Sequence, residues 1–419
     1  MNKLLILTIV PIIALGCKSS ENFTGFSYDP PGVTNTTGVT TKQQAKRVIG
    51  VGTPKVWVGN EFEGARANDF VQLNEDTYQV TIYPENAPIN NSPWFAFSIW
   101  SDSSRAINLK LLYKSGKHRY KPKITGKTQG VTYTHIIEQI EYDTTDGSVT
   151  FALHVDSAKK TVSAHFMNGI LFSDLQKSHQ SLPDFVTVDT VGFSHMGFPI
   201  LEYTSDAPEP GLGANPVLVL LSRQHPPEVA GYRAFQSLWR ELISDSELAK
   251  SFRNHVTIKA YPMVNPDGVV NGHWRHNFKG VDLNRDWENF NQPETKAIRD
   301  ALVSLVSESE YRVFYGIDFH STNENILYPI LEEVVTTPDN FTQRWASIIK
   351  EEHPDLYFRT EEFDTNSPIA KNWIYHSFGA DAVTFEVEDE LDQGQIHLLG
   401  VQSAQSLMTL LLKELENTK

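Results

Sequence analysis

The 419-residue chain is 40% hydrophobic and 11% aromatic, with Trp, Tyr and Phe spread along its length. This is enough apolar material for a sizeable core and excludes wholesale disorder, and the length suggests about three units. The formal charge of −15, with no basic run long enough to follow a phosphate backbone, excludes nucleic acid as a partner.

The chain opens with MNKLLILTIVPIIALGC, a Lys followed by an apolar run too short to span a bilayer and of the length of an export signal. Ala14-Leu15-Gly16-Cys17 has the form of a bacterial lipobox. The expectation is a signal peptide over 1–17, with lipid on Cys17 anchoring the protein at the cell envelope, at an outer membrane given Lys18. Cys17 is the only cysteine, so no internal disulfide can form. Residues 18–44, rich in Ser, Thr, Gly, Asn and Pro, read as a flexible tether.

Over 45–167 short alternating runs, among them YQVTIYP, WFAFSIW, INLKLLY and VTFALHV, are separated by turn formers. They predict a small all-β sandwich. His118, His135, His154 and His165 are scattered there and read as structural. From 168 to 419 the texture changes. VLVLLS (217–222), VTIKAYPMV (256–264), VFYGIDFH (313–320) and AVTFEVE (382–388) are continuous apolar or β-branched runs, as in strands covered on both faces. Helical patterns such as VAGYRAFQSLWRELI and ETKAIRDALVSLV lie between them. The predicted class is α/β, a central mixed β-sheet flanked by helices and preceded by the sandwich.

In an open α/β sheet, sites form at the carboxyl ends of strands. His225 and Glu228, separated by Pro226 and Pro227, follow one such strand. Proline suits a rigid turn or an early helical position. A His and a carboxylate three apart can chelate one face of a metal ion, and two His plus one Glu with an open position form a catalytic zinc set. His320, ending the strand VFYGIDFH, is the candidate third ligand.

VNPDG, GHWRHNFKGVDLNRDW, the HPPE turn and DFHST occur together and in order. This set resembles the zinc carboxypeptidase family of the carboxypeptidase A type, over about 168–417. The preceding β-rich segment and SRQHPPE are similar to the cytosolic-carboxypeptidase branch. The resemblance implies one Zn²⁺ per chain held by His225, Glu228 and His320, with Asp282 accepting the free ring N–H of His225. It implies that Arg275 stabilises the oxyanion and that Asn284 and Arg285 grip the substrate's terminal carboxylate. It makes Glu386 the general base, although Glu388 shares its strand face. His273 and His276 flank Arg275 but have no vacancy to fill. Fifteen residues before Glu386, where the family lines the pocket for the C-terminal side chain, stands Lys371. It implies a preference for C-terminal Glu or Asp. The loop tyrosine that many members carry before the base is missing from FDTNSPIAK. The implied function is hydrolysis of the C-terminal residue of peptides or proteins. On the sequence alone, an envelope amidase acting on peptidoglycan stem peptides and a retired fold kept as a binding module stay open.

Overall fold

Two long strands of the N-terminal region alternate cleanly between buried and open positions. In Arg105–Tyr113 the residues Ile107, Leu109, Leu111 and Tyr113 point inward, and Val149–Val155 repeats the pattern against it. The computed structural model describes residues 39–417, apart from 129, 207–213, 308–309, 353 and 355–357. The leader, Cys17 and most of the predicted tether lie outside the described residues. Among these, a six-stranded and a five-stranded sheet share one apolar core. The last residues of the predicted tether are bonded to the body of the protein: Thr41 Oγ1 donates to Phe278 O (2.7 Å) and Lys42 N to Glu85 O (2.6 Å).

The second region is built on a mixed sheet, eight-stranded among the described residues. Its centre is four adjacent parallel strands, Thr257–Tyr261, Asn215–Ser222, Tyr311–Thr322 and Asp381–Glu388. Asn215–Ser222 is buried at every residue. Its alternation divides two cores. Leu218 and Leu220 pack with the helices Val229–Leu242, Phe341–Glu352 and Gln393–Asn417, and Val217, Val219 and Leu221 with Pro293–Ser307 and Ala370–Phe378. A continuous apolar strand is thus what a sheet covered on both faces requires. The first of these cores runs on into the N-terminal sandwich, so the two regions are joined by packed side chains.

Gly231 lets the helix Val229–Leu242 lie close on the sheet, because a Cβ there would collide with the backbone of His320. Pro226 and Pro227 stand in the turn before this helix, which begins at Val229 with Glu228 as N-cap. The prolines therefore shape the turn and lie outside the first helical turn.

At the start of the helix Pro293–Ser307, Glu294 is fully buried, and its Oε1 has no hydrogen-bond partner among the described residues. Burial pushes its carboxyl up to about 8. A carboxyl raised in the folded state binds its proton more tightly there than in the unfolded chain, so stability falls as pH rises from about 4.5 to 8. Glu294→Gln is neutral at every pH. Its stability relative to wild type is expected to improve by a few kcal/mol between pH 5 and pH 8.5 in urea unfolding. Parallel curves for the two proteins would mean that Glu294 does not titrate in this range.

Candidate active site

The carboxyl ends of the three strands Asn215–Ser222, Tyr311–Thr322 and Asp381–Glu388 lie on one edge of the sheet. The turn after the first carries His225 and Glu228. The second ends on His320-Ser321-Thr322. The third places Glu386 directly beside His320 in register. These side chains open into one cleft of about 240 Å³, which Arg275, Asn284, Arg285, Arg119 and Tyr328 also line.

His225, Glu228 and His320 are buried and offer three ligand atoms within 4.8 Å of one another. Nδ1 of His225 lies 2.8 Å from Glu228 Oε1, Nδ1 of His320 lies 2.7 Å from Glu228 Oε2, and the two Nδ1 atoms are 3.2 Å apart. On the far side of each ring a carboxylate takes Nε2. Asp282 Oδ1 sits at 2.9 Å from that of His225 and Asp318 Oδ2 at 2.7 Å from that of His320. A carboxylate only accepts, so both Nε2 atoms carry hydrogen, a tautomer assigned from these partners. Two Nδ1 lone pairs and a carboxylate then face one point, the donor set of a divalent cation such as zinc. Burial works against the Glu228 charge, but His225 and His320 hold its carboxyl well below the usual range.

Asp282 has a second task. Its Oδ2 accepts from Arg275 Nε at 2.6 Å, so one fully buried carboxylate orients both a ring of the triad and the arginine facing it. Asn284 Oδ1 accepts from Ala370 N (2.9 Å), and its Nδ2 lies 3.2 Å from His320 Nε2. Arg285 donates to Asn284 O (2.6 Å), and burial lowers its pKa to about 10 against the pull of Asp364 and Glu386. Oε2 of Glu386 is buried with no hydrogen-bond partner among the described residues. Burial and then the Glu228 charge push its carboxyl up to about 7, against His320, His225 and Arg119. Glu388, two residues on, is not a wall of the cleft, and its backbone N–H is tied to Asn325 Oδ1 (2.9 Å).

Lys371 departs from expectation. The helix Ala370–Phe378 begins one residue earlier, and the lysine side chain turns into the protein behind the cleft wall. It is fully buried and donates to Pro329 O at 2.5 Å, 5.7 Å from the ring centre of the lining Phe363. Burial lowers its pKa to about 7, with Asp364 and Asp381 opposing. His273 and His276 stand apart from the triad: His273 Nδ1 meets His276 O (3.0 Å), and His276 Nδ1 meets Asn86 Oδ1 (2.6 Å).

Three contributors escaped sequence reasoning. Asp318, two before His320 on the same strand face, was legible from alternation alone. Tyr328, from the short strand Ile326–Tyr328, supplies a phenol to the cleft that no motif marked. Arg119 comes from the N-terminal region; it binds Asp389 (2.6 Å), Asn91 O (3.1 Å) and Ser92 Oγ (2.9 Å), bracing one wall.

The family model for zinc carboxypeptidases, peptidase M14, matches residues 171–398. The chain belongs to the zinc carboxypeptidase family. This metallocarboxypeptidase domain is a peptide-hydrolase domain. Cytosolic carboxypeptidase 1 of Xenopus laevis is 29% identical over 178 residues, 40% of this chain and 14% of that protein. The mouse protein of the same name is 24% identical over 279 residues, 62% of this chain and 22% of its own length. The chain thus spans less than a quarter of these relatives. The metallo-carboxypeptidase of Burkholderia cenocepacia shares the fold with a TM-score of 0.69 at 17% identity, covering 85% of this chain and 99% of its own. That of Pseudomonas aeruginosa gives 0.65 at 17% identity, over 85% and 99%. The match extends through the β-rich N-terminal region and bears out the predicted fold class. The envelope placement is corrected by the curated relatives, which are named cytosolic carboxypeptidases.

Proposed function

We propose that this carboxypeptidase domain hydrolyses the C-terminal residue of peptides or protein tails, with one zinc ion per chain on His225, Glu228 and His320. The observation that carries the reading is the convergence of the triad, Glu386, Arg275, Asn284 and Arg285 on one cleft. Zinc, when bound, supplies Lewis acidity that brings a water's pKa near 7 and polarises the scissile carbonyl. Glu386, whose free Oε2 sits beside the triad, takes a proton from the attacking water and returns it to the leaving nitrogen. Arg275, aimed by Asp282, meets negative charge as it develops on the carbonyl oxygen. Arg285 and the Asn284 amide hold the terminal carboxylate, a group that an internal peptide bond lacks.

The preference is for C-terminal Glu or Asp. Three arginines against two carboxylates line the cleft, before any zinc charge is added. Behind its wall the Lys371 amine, bonded to Pro329 O, adds to this positive face at longer range without touching the cleft. The test is a scan of peptides differing in the last residue, as free acids and as C-terminal amides. The acids are expected to be cleaved and the amides spared, with Glu and Asp ahead of Leu and Phe. Lys371→Met, which removes only that more distant charge, should narrow the lead by no more than about threefold. Equal cleavage of the amides would refute the carboxylate clamp and favour amidase chemistry; a lead for Phe would refute the acidic preference alone.

A further inference from the structure

The Trp274-Arg275-His276 segment has no helix or strand to satisfy its backbone. Its three consecutive N–H groups all donate to one side chain of the N-terminal region. Glu85 Oε2 accepts from Trp274 N (2.8 Å), and Oε1 from Arg275 N (2.9 Å) and His276 N (2.7 Å). Glu85 is fully buried. The next residue continues the grip: Asn86 Oδ1 lies 2.6 Å from His276 Nδ1, and its Nδ2 donates to Gly280 O (3.0 Å). The Trp274 ring packs edge-on against Tyr113 of the sandwich at 6.3 Å. Burial opposes the Glu85 charge, but His273, His276, Arg66 and the backbone amides keep it ionised, with a pKa of about 2. His273 is itself held near 4 by burial, so at neutral pH Arg66 and the amides do this work.

Arg275 is therefore held at both ends, its guanidinium by Asp282 and its backbone by Glu85. The geometry points to Glu85 as the positioning residue through which the N-terminal β region sets the oxyanion-facing arginine of the neighbouring domain. This rests on the role proposed above for Arg275. Only an acceptor-only group with two oxygens suits three parallel donors. Glutamine would set an NH₂ group against at least one of them, and a shift of about 1 Å in a catalytic group can cost 10²-fold.

The test is a double-mutant cycle of Glu85→Gln with Arg275→Ala, on the full chain loaded with zinc, using a free-acid peptide. Glu85→Gln is expected to lower kcat about 10- to 100-fold with KM within threefold, and to cost no more than threefold in the Arg275→Ala background. Glu85→Asp keeps the charge but draws it back by one methylene, and serves if the Gln variant does not fold. The same non-additivity is expected of it. Equal losses in both backgrounds, or a loss confined to zinc content or folded fraction, would mean that Glu85 only supports the fold, and the inference falls. Near-wild-type kcat in Glu85→Gln also sinks it. Near-wild-type kcat in Arg275→Ala alone would instead refute the role given to Arg275.

Discussion

Replacing Glu386 with Gln is expected to lower kcat by 10²- to 10⁴-fold, with KM and zinc content near wild type. The strand Asp381–Glu388 is paired along its length with Tyr311–Thr322, and that register fixes Glu386 beside His320 whatever residue stands there. Gln keeps the volume, so the cleft should not collapse, but an amide cannot take a proton from water. Glu386 is the carboxylate suited to this work because one oxygen has no hydrogen-bond partner among the described residues to give up, and because burial and Glu228 hold its pKa near the working range. Glu388→Gln is the matched control on the same strand face. It is expected to stay within twofold of wild type, since that side chain is no wall of the cleft. If the two variants exchange behaviours, the base has been assigned to the wrong glutamate. A Glu386→Gln enzyme within tenfold of wild type would remove the base altogether.

What could be read from the chain followed from local rules. Continuous apolar runs marked the four central strands because both faces of each are covered, and Leu218 and Val219 enter opposite cores as period two demands. The site followed because sites on such sheets gather at the carboxyl ends of strands, so HPPE, DFH and the 381–388 strand were bound to meet. Contacts across domains were not legible. Glu85 reaches Arg275 over 190 positions of sequence, and Arg119 reaches Asp389 over 270, with no pattern at either end to announce the partner. Lys371 shows a different limit. Counting back from Glu386 locates the residue, but the rotation of the helix Ala370–Phe378 decides where its side chain goes, and it goes behind the wall. The leader pattern, read by itself, suggested an address that the relatives do not share.

Asp282 joins two functions, and Asp282→Asn should separate them in a way that Asp318→Asn cannot. Oδ1 of Asp282 accepts from His225 Nε2 and from Asn284 N, both at 2.9 Å, while Oδ2 accepts from Arg275 Nε at 2.6 Å. Burial opposes this charge, yet Arg275 and His225 hold the carboxyl well below its usual range, so it is ionised at every working pH. Asparagine has one acceptor oxygen. Facing His225 with it sets the NH₂ group against the Arg275 N–H; the flipped amide sets it against the ring N–H and the Asn284 N–H. Either way a buried donor loses its partner, and the guanidinium loses the charge that orients it. Zinc affinity is expected to fall 10- to 100-fold in a chelator competition titration, because the ring is no longer fixed in the tautomer that presents Nδ1. At saturating zinc kcat should still be at least about tenfold low, because Arg275 is no longer aimed. Asp318 touches His320 and Gln224 (each 2.7 Å) but not Arg275. Asp318→Asn should therefore weaken zinc binding and recover most of its kcat once zinc is saturating. If Asp282→Asn recovers as fully, the arginine does not depend on this carboxylate, and the shared-carboxylate account of the site fails.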